Sequence, residues 1–221
     1  MKDSKPSKIY VISGLGADRN VLSRLEFPLN MDVVHLDWLM PKRKEGFTHY
    51  VDRMSAAIDF SEPFYLLGYS FGGMVAQEIH KSHRAEKVFV LGSVCSDKEL
   101  ARPLRLGSFS KVSRLIPSHF FNENSIIFKR VIGFLFGNSN QVIEHYFKVK
   151  DPVYLRWSIE QITQWKGEKS PEVVQILAEN DRVFPIGNSQ PNYTIAGASH
   201  LFPITKSKEV SRILAKELHS V

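Results

Sequence analysis

Five residues set the frame for this chain: Gly68-Tyr69-Ser70-Phe71-Gly72. The apolar run Phe64-Tyr65-Leu66-Leu67 precedes them, and the helix-forming stretch Gly73-Met74-Val75-Ala76-Gln77-Glu78-Ile79 follows. A buried strand that turns straight into a helix tolerates only small residues two positions either side of the turn, and Gly68 and Gly72 stand there. The turn pushes the Ser70 hydroxyl out of the backbone and seats it at the positive end of a helix dipole, where a developing oxyanion is favoured. Strand, Gly-x-Ser-x-Gly and helix in that order demand an α/β architecture and mark Ser70 as a candidate nucleophile.

The surrounding pattern agrees. Apolar runs at Lys8 to Ile12, Asp32 to Leu36, Phe64 to Tyr69, Lys87 to Gly92, Val173 to Ala178 and Tyr193 to Ala196 predict six strands. Between them, Thr48 to Phe60 has apolar residues at Val51, Met54, Ala57 and Ile58, the spacing of an amphipathic helix. Phe71 to about Lys81 continues the elbow as a helix, and Lys206 to His219 closes the chain with Val210, Ile213, Leu214 and Leu218 on one face. Continuous apolar strands alternating with helices predict a mostly parallel six-stranded sheet with helices on both faces. At 221 residues the chain is expected to be a single domain.

Residues 97–170 break the rhythm. They carry no strand pattern but hold seven of the fifteen phenylalanines, Phe109, Phe120, Phe121, Phe128, Phe134, Phe136 and Phe147. A structureless loop of that length is out of keeping with a compact domain, so short helices forming a lid insertion are expected. Its aromatic residues either build the lid's own core or line an apolar acyl or aryl pocket above Ser70.

A serine hydroxyl needs a base to take its proton and a carboxylate to orient that base. The carboxyl ends of parallel strands open on one edge, where such sheets bind ligands. His200, in Gly197-Ala198-Ser199-His200-Leu201, follows the last strand and belongs on the rim with Ser70. His35 falls within a strand, His49 at a helix start, His80 and His83 at the far end of the elbow helix, His119 and His145 in the insertion and His219 near the terminus. The favoured acid is Asp181, directly after the fifth strand; Glu179 and Asp97 are its rivals, and a plain Asn-Asp turn is the alternative reading of Asp181. An oxyanion hole takes one backbone N–H from Phe71 and a second from Ser13-Gly14-Leu15-Gly16-Ala17-Asp18, with Leu15 preferred to Gly16. Arg19 stands where a dinucleotide loop would need its third glycine.

The net charge of +6 raises nucleic acid as a partner. Residues 97–170 hold 12 Lys/Arg against 7 Asp/Glu, interspersed with apolar residues rather than forming a basic arm. A solvated helical face fits better, or attraction of anionic substrates. No apolar stretch approaches the ~20 residues of a membrane span, and the polar N-terminus lacks a secretory core. One cysteine, Cys95, allows no internal disulfide and fits the cytoplasm. Neither a cofactor nor a metal is expected.

Together, the loop at 13–18, the elbow at 68–72, the acid loop at 178–185 and the histidine loop at 197–203 resemble the α/β-hydrolase superfamily over most of the chain. The resemblance implies Ser70 as nucleophile, His200 as general base and acid, Asp181 as orienter, and Leu15 and Phe71 as oxyanion donors. It implies cleavage of a small-molecule carboxylic ester, with a thioesterase acting on an acyl carrier or coenzyme A as rival and a non-catalytic ligand binder as the reading from another class. This chain departs from the pattern in having Ser13 where many relatives carry histidine; with the first strand starting eight residues in, the family's usual N-terminal antiparallel strands are not expected, and about six strands are. The short stretch between Asp181 and His200 predicts a loop or single turn, not a helix, between the last two strands.

Overall fold

The computed structural model describes residues 6–100 and 145–219. Its centre is a six-stranded sheet of β1 (Ser7–Ile12), β2 (Met31–Leu36), β3 (Phe64–Tyr69), β4 (Lys87–Leu91), β5 (Val173–Ala178) and β6 (Tyr193–Ile195). The strand order is β2-β1-β3-β4-β5-β6, and every neighbouring pair is parallel. The order reverses about β1, so β1 and β3 run side by side with a helix on each flank. That reversal is where an open α/β sheet offers a crevice.

The strands are apolar throughout because both faces are covered. Tyr10, Ile12, Phe64, Leu66, Val88 and Val90 turn to one side. There they meet α1 (Phe47–Ser55), α2 (Phe71–Ser82) and α3 (Pro152–Gln164), which contribute Tyr50, Met54, Phe71, Met74, Val75 and Trp157. The alternate residues Ile9, Val11, Leu67, Phe89, Leu91 and Ile176 pack on the other side. Their partners are the 3-10 turn Arg19–Leu22, α4 (Phe202–Thr205) and α5 (Ser207–His219), through Val21, Leu22, Phe202, Val210 and Leu214.

The sheet is wholly parallel, within the fold class expected from the sequence. Two differences from the sequence reading have identifiable causes. The helix expected to run to Phe60 ends at Ser55, where Ser55 Oγ donates to the Asp52 carbonyl and Ile58 N–H folds back to Ser55. Beyond it, the Tyr10 hydroxyl accepts from Asp59 N–H, and Asp59 pairs with Lys8, which steers the chain into β3. Within the segment assigned to the insertion, α3 starts from Asp151, whose carboxylate caps Val153 and Tyr154 N–H, with Pro152 in the first turn. It packs on α1 and α2: Trp157 lies 4.3 Å from the Tyr50 ring and donates its indole N–H to the Glu45 carbonyl. Residues 101–144, including Phe109, Phe120, Phe121, Phe128, Phe134, Phe136 and His119, lie outside the described residues. The connection between β5 and β6 contains only the 3-10 turn Ile186–Asn188.

Candidate active site

Ser70 has φ 54°, a left-handed conformation that costs a non-glycine residue of order 1–3 kcal/mol. Several contacts hold it there. Ser70 N–H donates to Leu91, and Gly73 N–H donates to the Ser70 carbonyl. The two elbow glycines are required by space: a Cβ on Gly68 would lie 2.2 Å from the Gly72 carbonyl oxygen, and one on Gly72 would lie 2.3 Å from the Ser13 carbonyl oxygen. The crossing of β3, α2 and the loop after β1 is thus closed to any larger residue.

His200 reaches Ser70 from the loop after β6. Its Nε2 lies 3.0 Å from Ser70 Oγ and its Nδ1 2.7 Å from Asp181 Oδ2. The imidazole is wholly buried, as is the Asp181 side chain. The second Asp181 oxygen, Oδ1, accepts from Val183 and Phe184 N–H, so the carboxylate is fixed by its own turn. The ring lies against Tyr69 and Phe184. Tyr69 also donates its hydroxyl to the His200 carbonyl at 3.0 Å. Burial, with the Asp181 charge adding to it, pushes the Tyr69 phenol well above its ordinary range, so it remains a donor.

The rival carboxylates are engaged elsewhere. Glu179 accepts from Gly197 N–H at 2.7 Å and closes the histidine loop. Asp97 pairs with Lys166 at 2.6 Å, and that cation holds its carboxyl below the usual range. Among the other histidines, His80 is buried at the end of α2, where Nδ1 accepts from Ala85 N–H; burial lowers its pKa. The Cys95 thiol is buried and pushed up to about 12, which makes it no nucleophile.

The loop after β1 presses on the elbow. A Cβ on Gly14 would stand 3.3 Å from Ser70 Cβ and 3.1 Å from the Tyr69 ring. Ser13, placed where the resemblance leads one to expect histidine, is buried, and its hydroxyl closes the loop onto the Ala17 carbonyl at 2.7 Å. Leu15 sits half-buried between these anchors, and Phe71 is the first residue of α2, where helix N–H groups have no acceptor within the helix. Two residues that sequence reasoning passed over bear on the site: Tyr69, hidden as an ordinary strand aromatic, and Trp38, whose indole N–H donates to the Gly14 carbonyl at 3.0 Å. No group of three or more His, Cys, Asp or Glu among the described residues could hold a metal ion.

This is the α/β-hydrolase fold. Similar solved structures include a lipase-esterase related protein from Clostridium acetobutylicum, with 16% identity, 96% of this chain and 94% of that chain covered, and a TM-score of 0.66. An α/β-hydrolase fold protein from Burkholderia ambifaria matches at 13% identity over 96% and 90% of the two chains, TM-score 0.69. A thermophilic esterase from Thermogutta terrifontis matches at 13% identity over 97% and 90%, TM-score 0.66. At these identities the likeness is one of fold. No protein-family model matches the chain, and no curated protein matches it. No helix among the described residues is long and apolar enough to cross a membrane.

Proposed function

We propose that this protein is a serine hydrolase that cleaves a carboxylic ester through an acyl-enzyme. The observation that carries the reading is the unbroken chain Ser70 Oγ, His200 Nε2, His200 Nδ1 and Asp181 Oδ2, with spacings of 3.0 and 2.7 Å. A carboxylate can only accept, so Nδ1 keeps the ring proton and the Nε2 lone pair faces the serine hydroxyl. Ser70 Oγ attacks the ester carbonyl as Nε2 takes its proton, and the carbonyl electron pair moves onto oxygen. Collapse of that tetrahedral species expels the alcohol, which receives the proton from Nε2. Water then repeats the sequence on the acyl-enzyme, releasing the acid and restoring Ser70.

In this reading Leu15 and Phe71 N–H stabilise the oxyanion, each donor being worth on the order of 10²- to 10³-fold in rate. The strained serine at the head of α2 supports it, because that backbone conformation has a cost the fold must bear for some purpose. The esterase named among the similar structures supports it too.

The test is a panel of aryl esters, thioesters, lactones and amides graded by acyl length, run on the wild type and Ser70→Ala. Ester turnover that vanishes in Ser70→Ala, with fluorophosphonate mass added at Ser70, is the expected result. Equal turnover by both proteins overturns the nucleophile. A preference for thioesters within the panel moves the substrate class without moving the site. Folded protein that neither turns over nor labels is a binder.

A further inference from the structure

We infer that Trp38 is the positioning residue of the oxyanion loop; this rests on the hydrolase reading above. Trp38 lies two residues beyond β2, half-buried, and touches both sides of the proposed hole. Its indole N–H donates to the Gly14 carbonyl at 3.0 Å. Its ring stacks on Phe71, with centroids 5.3 Å apart and planes inclined by 12°. One side chain therefore fixes the peptide that leads into Leu15 and the side chain of the residue that follows the nucleophile.

The Gly14 carbonyl shows why this matters. It accepts from Ala17 N–H at 3.0 Å and from Trp38 Nε1, which fills both of its lone pairs. A carbonyl held by two donors cannot rotate its peptide plane without losing a bond. That plane includes the N–H of Leu15, so its direction is set by the same two bonds. On the far side, Val149 N–H donates to the Gly16 carbonyl and Asp18 N–H to Tyr146, which clamps the loop's other end. Without Trp38, the hydrogen bond left on the Gly14 carbonyl among the described residues is the one from Ala17 N–H. Stabilisation of a developing charge depends on donors already aimed before reaction, so a loosened N–H lowers the rate while leaving ground-state binding nearly intact.

Two substitutions separate the hydrogen bond from the stack. Trp38→Phe keeps an aromatic ring against Phe71 and removes the donor. Trp38→His removes the larger ring but places Nε2 where the indole nitrogen stood. Steady-state kinetics on the preferred aryl ester, with melting temperature measured alongside, should show kcat reduced about tenfold in Trp38→Phe at a KM within twofold of wild type, because a misaimed oxyanion donor acts on the transition state. Trp38→His should recover at least a third of the wild-type kcat while melting lower than Trp38→Phe. A purely packing role reverses that order, with Phe the milder change in both respects, and overturns the proposal. So does a kcat in Trp38→Phe within twofold of wild type, or a loss that appears in KM alone. Absence of Ser70-dependent turnover in the wild type overturns the hydrolase reading itself and this inference with it; Ser70-dependent turnover with an indifferent Trp38 overturns this inference only. Should neither variant fold, Trp38→Gln, which keeps an N–H donor for the Gly14 carbonyl without any ring, must retain at least a third of the wild-type kcat, and a larger loss overturns the proposal.

Discussion

Tyr69 and His200, 131 residues apart, are joined by a 3.0 Å hydrogen bond from the Tyr69 hydroxyl to the His200 carbonyl. The residue immediately before the proposed nucleophile thereby fixes the loop that carries the proposed base. Tyr69→Phe leaves that carbonyl without its buried donor, at a cost of about 1–3 kcal/mol. For a chain of this length the melting temperature should fall by roughly 2–12 °C at about 2–4 °C per kcal/mol, and kcat should fall with it as the Ser70–His200 distance loosens. Unchanged melting and turnover would show that the loop is held by its other contacts.

Asp181→Asn preserves shape but places an amide where His200 Nδ1 meets a carboxylate oxygen. The amide donates, the ring must move its proton to Nε2, and the lone pair that faces Ser70 is lost. On the proposed reading, kcat should drop on the order of 10³- to 10⁴-fold with little change in KM. The same substitution at Glu179 or Asp97 should leave kcat within about tenfold, since neither acid touches the imidazole.

Strain at Ser70 makes an opposite pair of predictions for stability and activity. Ser70→Gly relaxes the φ 54° backbone and should raise stability by about 0.5–1 kcal/mol while abolishing turnover. Gly68→Ala forces a methyl to 2.2 Å from a carbonyl oxygen and should lower stability by about 3 kcal/mol or more. Thermal melts of both variants check the pair; a neutral Gly68→Ala would mean that the elbow can open.

Glu45 contributes to the acid limb of stability. Burial alone would raise its pKa, but the Arg53 guanidinium at 2.8 Å, the Lys42 N–H and the His49 ring outweigh burial and hold it at about 2, below its ordinary 4.5. A carboxyl with a depressed folded value contributes stability that is complete above its unfolded value and is lost as pH falls through the folded one. The pair should therefore stabilise the fold fully above about pH 4.5 and progressively less down to pH 2. Glu45→Gln should cost about 2 kcal/mol at pH 7, with chemical denaturation showing a flatter stability profile between those limits. A parallel profile for wild type and variant would sink the assignment.

Much of this protein can be read from neighbours in the chain. The continuous apolar runs of β1, β3 and β4, the helix over Phe71 to Ser82 and the glycines about Ser70 are local patterns, written where the chain needs them. The α1 boundary was less legible, because part of what directs the chain beyond it is Tyr10 from another strand.

The sequence alone determined that buried strands alternate with helices and that a serine stands at a strained elbow, since both follow from side-chain periodicity and from room for a Cβ. Which carboxylate faces His200, that α3 packs into the helical layer and that Trp38 grips the Gly14 carbonyl were decided only by tertiary structure. Those contacts join residues 19, 112 and 24 positions apart through single donor–acceptor directions, and nothing in local spacing records such a direction.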